Sequence, residues 1–425
     1  MDQGDNYQKV LDTASLAGHI LLENGAEISR VEDIMARIAE HYGVDSGNFF
    51  VLSNGIFTTG TSKKLPKAGG QASSYANVEF IPIRSIRLSK VTAVNRLSYD
   101  VAAGKLTLDE TREALERIRD AEGPKALPLI LASGFGAGGF CAVFGGGLLD
   151  CAAAFVVGLL VSVFALTVSG KYLSKIVAGI SNALVATALC ILLMRIGFGR
   201  SLSNIVIGAI MPLIPGVPFV NGVRDLANSD YIAGITRLTD AMLGFICITI
   251  GVSMAFLFDG WLFGGVIDLG GMTVSPQTYG LGWQALAAFV GTVAFAVLFG
   301  AYSQNCTMAG VVGALGWTVY LLMLRYAGVS PTIATLVAAL LVCIASRYAA
   351  VPFRCPSTVF LLCGIFPLVP GAGIFWSTYY LVAGQFNLSL AAGFAAIKVA
   401  VAIVLGIIFG MELPQRMFPS GRKRG

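Results

Sequence analysis

Two five-residue stretches carry the clearest chemical potential in this sequence. Pro212-Leu213-Ile214-Pro215-Gly216 and Pro367-Leu368-Val369-Pro370-Gly371 each set two prolines three apart ahead of a glycine, inside apolar runs. Proline lacks an N–H and clashes with the preceding turn, so such a pair breaks a helix. In lipid, a broken backbone is tolerated only when it is buried in protein or lines a watery cavity. The stretches 212–218 and 367–373 therefore predict two discontinuous helices. Half-helix N-termini there offer N–H groups to an anionic group, and the freed carbonyls can hold a cation or an ammonium. A plain proline kink is the competing reading, and the recurrence of the motif favours the binding one. Pro212, Pro215, Gly216, Pro367, Pro370 and Gly371 are thus the first candidate substrate-binding residues.

Polar residues inside apolar segments come next, because they are costly there and tend to be functional. Asp150 can carry a proton or counter an ammonium; an interfacial cap is the equal alternative. Asn305 stands at the matching place in the second half, and Asn182 lies in mid-segment. Lys398, about nine residues into the last segment, can snorkel or serve as a carboxylate-binding or counter-charge group. Asp240, near one end of its segment, reads as an anchor. In the charged N-terminal part the densest polar cluster is Asn24 to Glu32. Glu27 and Arg30, three apart on a helix, can pair. With Glu32 they form either an ordinary helix start or a regulatory, sensing site. His19 and His41 are the only histidines, and no HExxH, GxSxG, P-loop or GxGxxG occurs between a strand and a helix in this part. No catalytic residue, metal or cofactor is expected. The eight cysteines form no CxxC pair and read as small buried apolar residues.

These residues need elements to position them. Of 425 residues, 56% are hydrophobic and 12% charged, with mean hydropathy +0.76; a soluble domain carries about 25% charged residues. Residues 1–125 hold 32 of the charged side chains and the remaining 300 hold only 21. Runs of about 20 apolar residues match a bilayer core. A single soluble enzyme and a disordered chain are excluded. So is a nucleic-acid binder, because residues 1–125 carry 15 basic and 17 acidic side chains and so no basic excess. Ten apolar segments stand out: 127–147, 149–169, 173–194, 202–221, 238–258, 283–303, 305–326, 331–351, 357–380 and 389–411.

At an offset of 155 the two halves align without gaps. The PLxPG stretches coincide, Phe144-Gly145 falls on Phe299-Gly300, Cys151 on Cys306, and Asp150 on Asn305. Each repeat holds five segments, an odd number, so the second copy enters the membrane from the opposite side. Starting from a cytoplasmic N-terminus, ten Lys and Arg fall in cytoplasmic positions and three, Arg195, Arg200 and Arg325, in outer ones. The expected fold is a polytopic α-helical membrane protein of ten transmembrane helices in two inverted five-helix repeats. A small α+β cytoplasmic domain precedes them. The predicted divisions are 1–125 for that domain, 126–258 and 283–412 for the repeats, 259–282 for an extracytoplasmic loop, and 413–425 for a basic cytoplasmic tail.

In residues 1–125 the pattern reads as two helices, strands, and two more helices. Ser29 with Glu32 fits a capping box at the start of the second helix, and Thr107 with Glu110 fits one at the last. Residues 49–53, 56–59 and 78–83 read as strands, and Thr61 to Asn77 as a mobile loop.

Asn24-Gly25-Ala26-Glu27-Ile28-Ser29-Arg30-Val31-Glu32 resembles the NGAExxRVE segment of the threonine/serine exporter family. So do Ser53-Asn54-Gly55-Ile56-Phe57 and Lys90-Val91-Thr92-Ala93-Val94-Asn95. The resemblance covers essentially the whole chain and implies a cytoplasmic domain followed by ten spans. It also implies export of small amino acids such as threonine and serine, driven by the proton motive force across an inner membrane. Related two-chain members look like dicarboxylate exporters, so a succinate exporter is the first alternative. A membrane-anchored enzyme and a passive channel are the others. The implied partners are an amino-acid substrate, protons or an ion gradient, and the bilayer; no nucleic acid is implied, and a homo-oligomer is compatible.

Overall fold

The computed structural model describes residues 3–44, 47–61, 74–81, 86–264 and 279–418. They form two compact units. One joins Met1–Gly123 with Asn221–Leu238 and Arg354–Pro356; the other holds Pro124–Val220, Thr239–Phe353 and Ser357–Gly425.

The first unit contains α1 (Gln3–Glu23), α2 (Ile28–His41), β1 (Gly47–Leu52), β2 (Gly55–Thr61), β3 (Ser74–Phe80), α3 (Leu88–Ala102) and α4 (Leu108–Asp120). The strands pair antiparallel in the order β1-β2-β3, with Phe50 opposite Phe57 and Phe57 opposite Val78. Val10, Leu21, Ile34, Ile38, Ile56, Val91 and Leu115 are buried in one shared core. That core is what the helical spacing of the apolar residues in α1 and α2 serves.

Two local readings change. The second helix is not capped by Ser29: its N-cap is Glu27, in extended conformation, and Ser29 already lies within α2. The Glu27 carboxylate is drawn instead to an ion pair described below. Ser74 to Asn77 belong to β3, because their backbone pairs with Thr58–Thr61 of β2, which overrides their loop-like composition. Residues 62–73, Pro82 and Ile83 lie outside the described residues. The Thr107 box forms as read: Thr107 N–H donates to Glu110 Oε2 at 2.8 Å, and Glu110 N–H donates to Thr107 Oγ1 at 3.4 Å.

The remaining helices are α5 (Ala126–Val143), α6 (Leu148–Phe164), which continues through a π-turn at Ala165–Ser169 into α7 (Gly170–Tyr172), α8 (Lys175–Arg195), α9 (Leu202–Ile210), α10 (Gly216–Ala227), α11 (Tyr231–Phe263), α12 (Leu281–Leu298), α13 (Ser303–Arg325), α14 (Pro331–Phe353), α15 (Thr358–Gly364), α16 (Gly371–Val382) and α17 (Phe386–Glu412). Among the described residues, eight spans are long and apolar enough to cross a bilayer singly, and there are ten if α9 with α10 and α15 with α16 each count as one bent span. α11 runs to Phe263, so the predicted outer loop opens as helix; residues 265–278 lie outside the described residues.

Element boundaries follow the 155-residue offset. α5 and α12 start at 126 and 281, α6 and α13 at 148 and 303, α10 and α16 at 216 and 371, and α11 and α17 at 231 and 386. Ser229, at φ 69°, matches Gly384, at φ 73°, in the turn before the last helix of each half. The equivalent helices α5 and α12 pack on each other through glycine. A Cβ at Gly139 would meet the Gly291 backbone at 2.9 Å, and one at Gly136 would meet Ala294 Cβ at 3.6 Å. The partner number falls as the residue number rises, so the two helices run antiparallel. Phe140 and Phe295, themselves equivalent, stack edge to face with centroids 5.0 Å apart.

Candidate functional site

Each PLxPG stretch breaks its helix in the same way. A 3-10 turn, Met211–Leu213 or Phe366–Leu368, ends α9 or α15. Then Ile214 (φ −65°, ψ 127°) or Val369 (φ −61°, ψ 134°) turns extended. The second half-helix restarts at Gly216 or Gly371, bent by 59° in the first repeat and 41° in the second. Proline supplies the break because its missing N–H and its ring both oppose continuation. At the restart, Gly216 N–H donates to Ile214 O (2.8 Å) and Gly371 N–H to Val369 O (2.7 Å). Phe219 N–H reaches Pro215 O, and Ile374 N–H reaches Pro370 O. Helix geometry assigns no intrahelical acceptor to the N–H groups of Val217, Ala372 and Gly373.

The breaks meet reciprocally. A Cβ on Gly216 would lie 2.5 Å from Phe366 Cζ, and one on Gly371 would lie 2.8 Å from Met211 Sδ. Met211 and Phe366 are equivalent under the offset, as are Gly216 and Gly371. Both large side chains are fully buried. The structure thus brings Gly216 and Gly371 together with the opposing 3-10 turns, while Pro215 packs against α11, where a Cβ on Gly244 would meet its ring.

The other candidates are dispersed. Asp150 is buried and committed to backbone: it accepts from Gly147 N–H (3.0 Å), Arg200 N–H (2.6 Å) and Ser201 N–H (3.0 Å). It ties the first turn of α6 to the start of α9. Its equivalent Asn305 is fully buried at the first turn of α13, with neither amide atom hydrogen-bonded to a described residue. Asn182 Oδ1 accepts from Ser169 Oγ at 2.9 Å, beside the π-turn. Lys398 is exposed on α17, on a face shared with exposed Phe394, Ile397 and Val401. Asp240 pairs with Lys175 at 3.2 Å, as an anchor would. Sequence reasoning passed over Gln284, which is fully buried, donates to Ala142 O (3.0 Å) and accepts from Trp317 Nε1 (2.9 Å). It thereby joins α5, α12 and α13.

The Glu27 cluster is far more buried than its sequence suggests. Glu27 is 3% exposed and pairs with Arg224 at 2.5 Å and with Arg30 at 3.4 Å. Arg237 pairs with Asp225 at 2.8 Å and donates to Ala26 O at 2.8 Å. Asp225 accepts from Ile28 N–H, and Asn221 donates to Gly25 O. Residues 221–237 therefore hold both ends of the α1–α2 turn. In the sequence Arg224 and Arg237 are two of the ten basic residues in cytoplasmic positions, and nothing in such a side-of-membrane count points to a partner. Glu32 does not join the cluster. It accepts from Val51 N–H at 3.2 Å, and burial lifts its carboxyl above the usual range.

A helical assembly of eight to ten candidate spans, two of them broken at matching points, with a small α+β unit, defines a multi-pass membrane protein. Residues 12–258 match the family described as putative threonine/serine exporter, and residues 284–412 match its companion, threonine/serine exporter, ThrE. The chain belongs to this threonine/serine exporter family. It is 23% identical to a threonine/serine exporter of Corynebacterium glutamicum, over 96% of this chain and 83% of that one. It is 23% identical to a probable threonine/serine exporter of Mycobacterium tuberculosis, over 94% and 76%. A probable succinate transporter subunit of Klebsiella aerogenes is 26% identical over 56% of this chain and 90% of its own length. No solved structure matches the chain.

Proposed function

We propose that this protein is a secondary exporter of small amino acids such as threonine and serine, coupled to the proton motive force and working by alternating access. The observation that carries the reading is the reciprocal meeting of the two breaks, Gly216 with Phe366 and Gly371 with Met211. Contacts that map onto themselves under the repeat offset are those of a two-fold relation. The antiparallel packing of α5 on α12 supports a second copy inverted relative to the first. Half-helix N-termini suit a carboxylate, and the carbonyls freed at the breaks suit an ammonium. Relatives named threonine/serine exporters span nearly the whole chain, whereas the succinate relative is named as a subunit and spans little more than half.

Proteoliposomes loaded with labelled threonine or succinate decide between the cargoes. Saturable, uncoupler-sensitive threonine flux is expected; succinate flux without threonine flux would overturn the assignment.

The same reading places both termini in the cytoplasm of a cell whose inner membrane holds the protein. Gly282 is exposed, and a Cβ there meets nothing within 4 Å. Gly282→Cys should react with an impermeant thiol reagent added outside intact cells, above the background of the largely buried native cysteines. Labelling only after permeabilisation would reverse the topology.

A further inference from the structure

We propose that Phe366 and Met211 are the two plugs of the passage between the breaks, and that Phe366 sets the largest substrate side chain. This rests on the exporter reading. Each plug is the first residue of a 3-10 turn and covers the glycine that opens the half-helix of the other repeat. A carboxylate approaching the N–H groups of Val217, Ala372 or Gly373 must displace one plug or pass beside it.

The plugs differ in what holds them. Phe366 lies 4.2 Å from the Phe295 ring and 5.4 Å from the Phe299 ring, and Phe295 abuts Phe140 at 5.0 Å. Moving Phe366 disturbs this whole chain of rings, whose contacts depend on geometry. Met211 stands at the equivalent position with an unbranched, adaptable side chain. The methionine yields and the phenylalanine stays. The room a displaced methionine leaves takes a serine or threonine side chain and excludes an aromatic one. Repeat symmetry is thus broken by one residue type, and the break assigns one plug to motion and the other to size selection.

The test is competition flux in proteoliposomes, with labelled threonine against labelled phenylalanine. Phe366→Ala, and the milder Phe366→Leu, should raise the phenylalanine-to-threonine flux ratio roughly tenfold or more, the scale of size selection by an apolar pocket. Met211→Ala should change that ratio less. Gly216→Ala, whose methyl would strike Phe366, should lower threonine flux, and adding Phe366→Leu should restore it. Wild-type vesicles moving no amino acid would sink the exporter reading itself. Wild-type threonine flux with unchanged selectivity in both folded Phe366 variants, or no rescue of Gly216→Ala, would overturn the plug assignment alone.

Discussion

Arg224→Ala is expected to destabilise the first unit by about 3–5 kcal/mol, the cost of leaving one partner of a buried ion pair uncompensated. Glu27 is 3% exposed and Arg224 is its nearest positive partner at 2.5 Å; Arg30 is farther, at 3.4 Å. Removing the guanidinium leaves the carboxylate buried against one looser partner. Glu27→Ala should cost a similar amount by stranding Arg224. The paired change Glu27→Leu with Arg224→Leu should cost much less than the sum, because apolar replacement of a whole buried pair is often close to neutral. Thermal unfolding of the purified protein checks this. A loss in the double variant equal to the sum of the single losses would mean that the two residues act independently. The effect reaches beyond stability. Asn221–Leu238 belongs to the same compact unit as Met1–Gly123, so the turn Gly25–Ile28 is a fixed attachment point for the chain between α10 and α11.

Pro215→Ala and Pro370→Ala should make the protein less active without loss of folding. A proline within a helix costs about 3 kcal/mol, and each of these stands where the chain bends by 59° or 41°. Alanine restores an N–H and favours the unbroken helix. A bias of that size shifts a two-state equilibrium by roughly a hundredfold, at 1.4 kcal/mol per factor of ten. Threonine flux should fall at least tenfold in each single variant and nearly vanish in the double one, while expression and thermal midpoint hold or rise. Undiminished flux would identify the prolines as simple kinks.

The bundle was legible in the sequence wherever a property repeats. The 155-residue offset reads through into the helix starts at 126 and 281, 216 and 371, and 231 and 386, because proline, glycine and charge act locally at chain turns. The same local logic found the Thr107 cap. What stayed hidden is what depends on partners distant in sequence. The Asp150 carboxylate reads as a proton carrier or a cap until the N–H groups of Arg200 and Ser201 are seen to close on it. Glu27 and Arg224 lie far apart in the chain, and neither has a periodic neighbour to betray the other. Lys398 sits in a helix apolar on every side, where no hydrophobic stripe tells the inward face from the outward one; the sequence leaves snorkelling and a counter-charge role both open, and the structure places the residue exposed.

The glycine-lined contact of α5 with α12 also bears on supply. Phe140 faces its own counterpart, Phe295, so α5 and α12 meet through equivalent residues. A relative named as a transporter subunit covers little more than half of this chain. Where halves are separate polypeptides, assembly depends on matched synthesis and on encounter in the membrane. Here translation itself sets the ratio, and the covalent link gives each half a partner at the high effective concentration of an intramolecular neighbour.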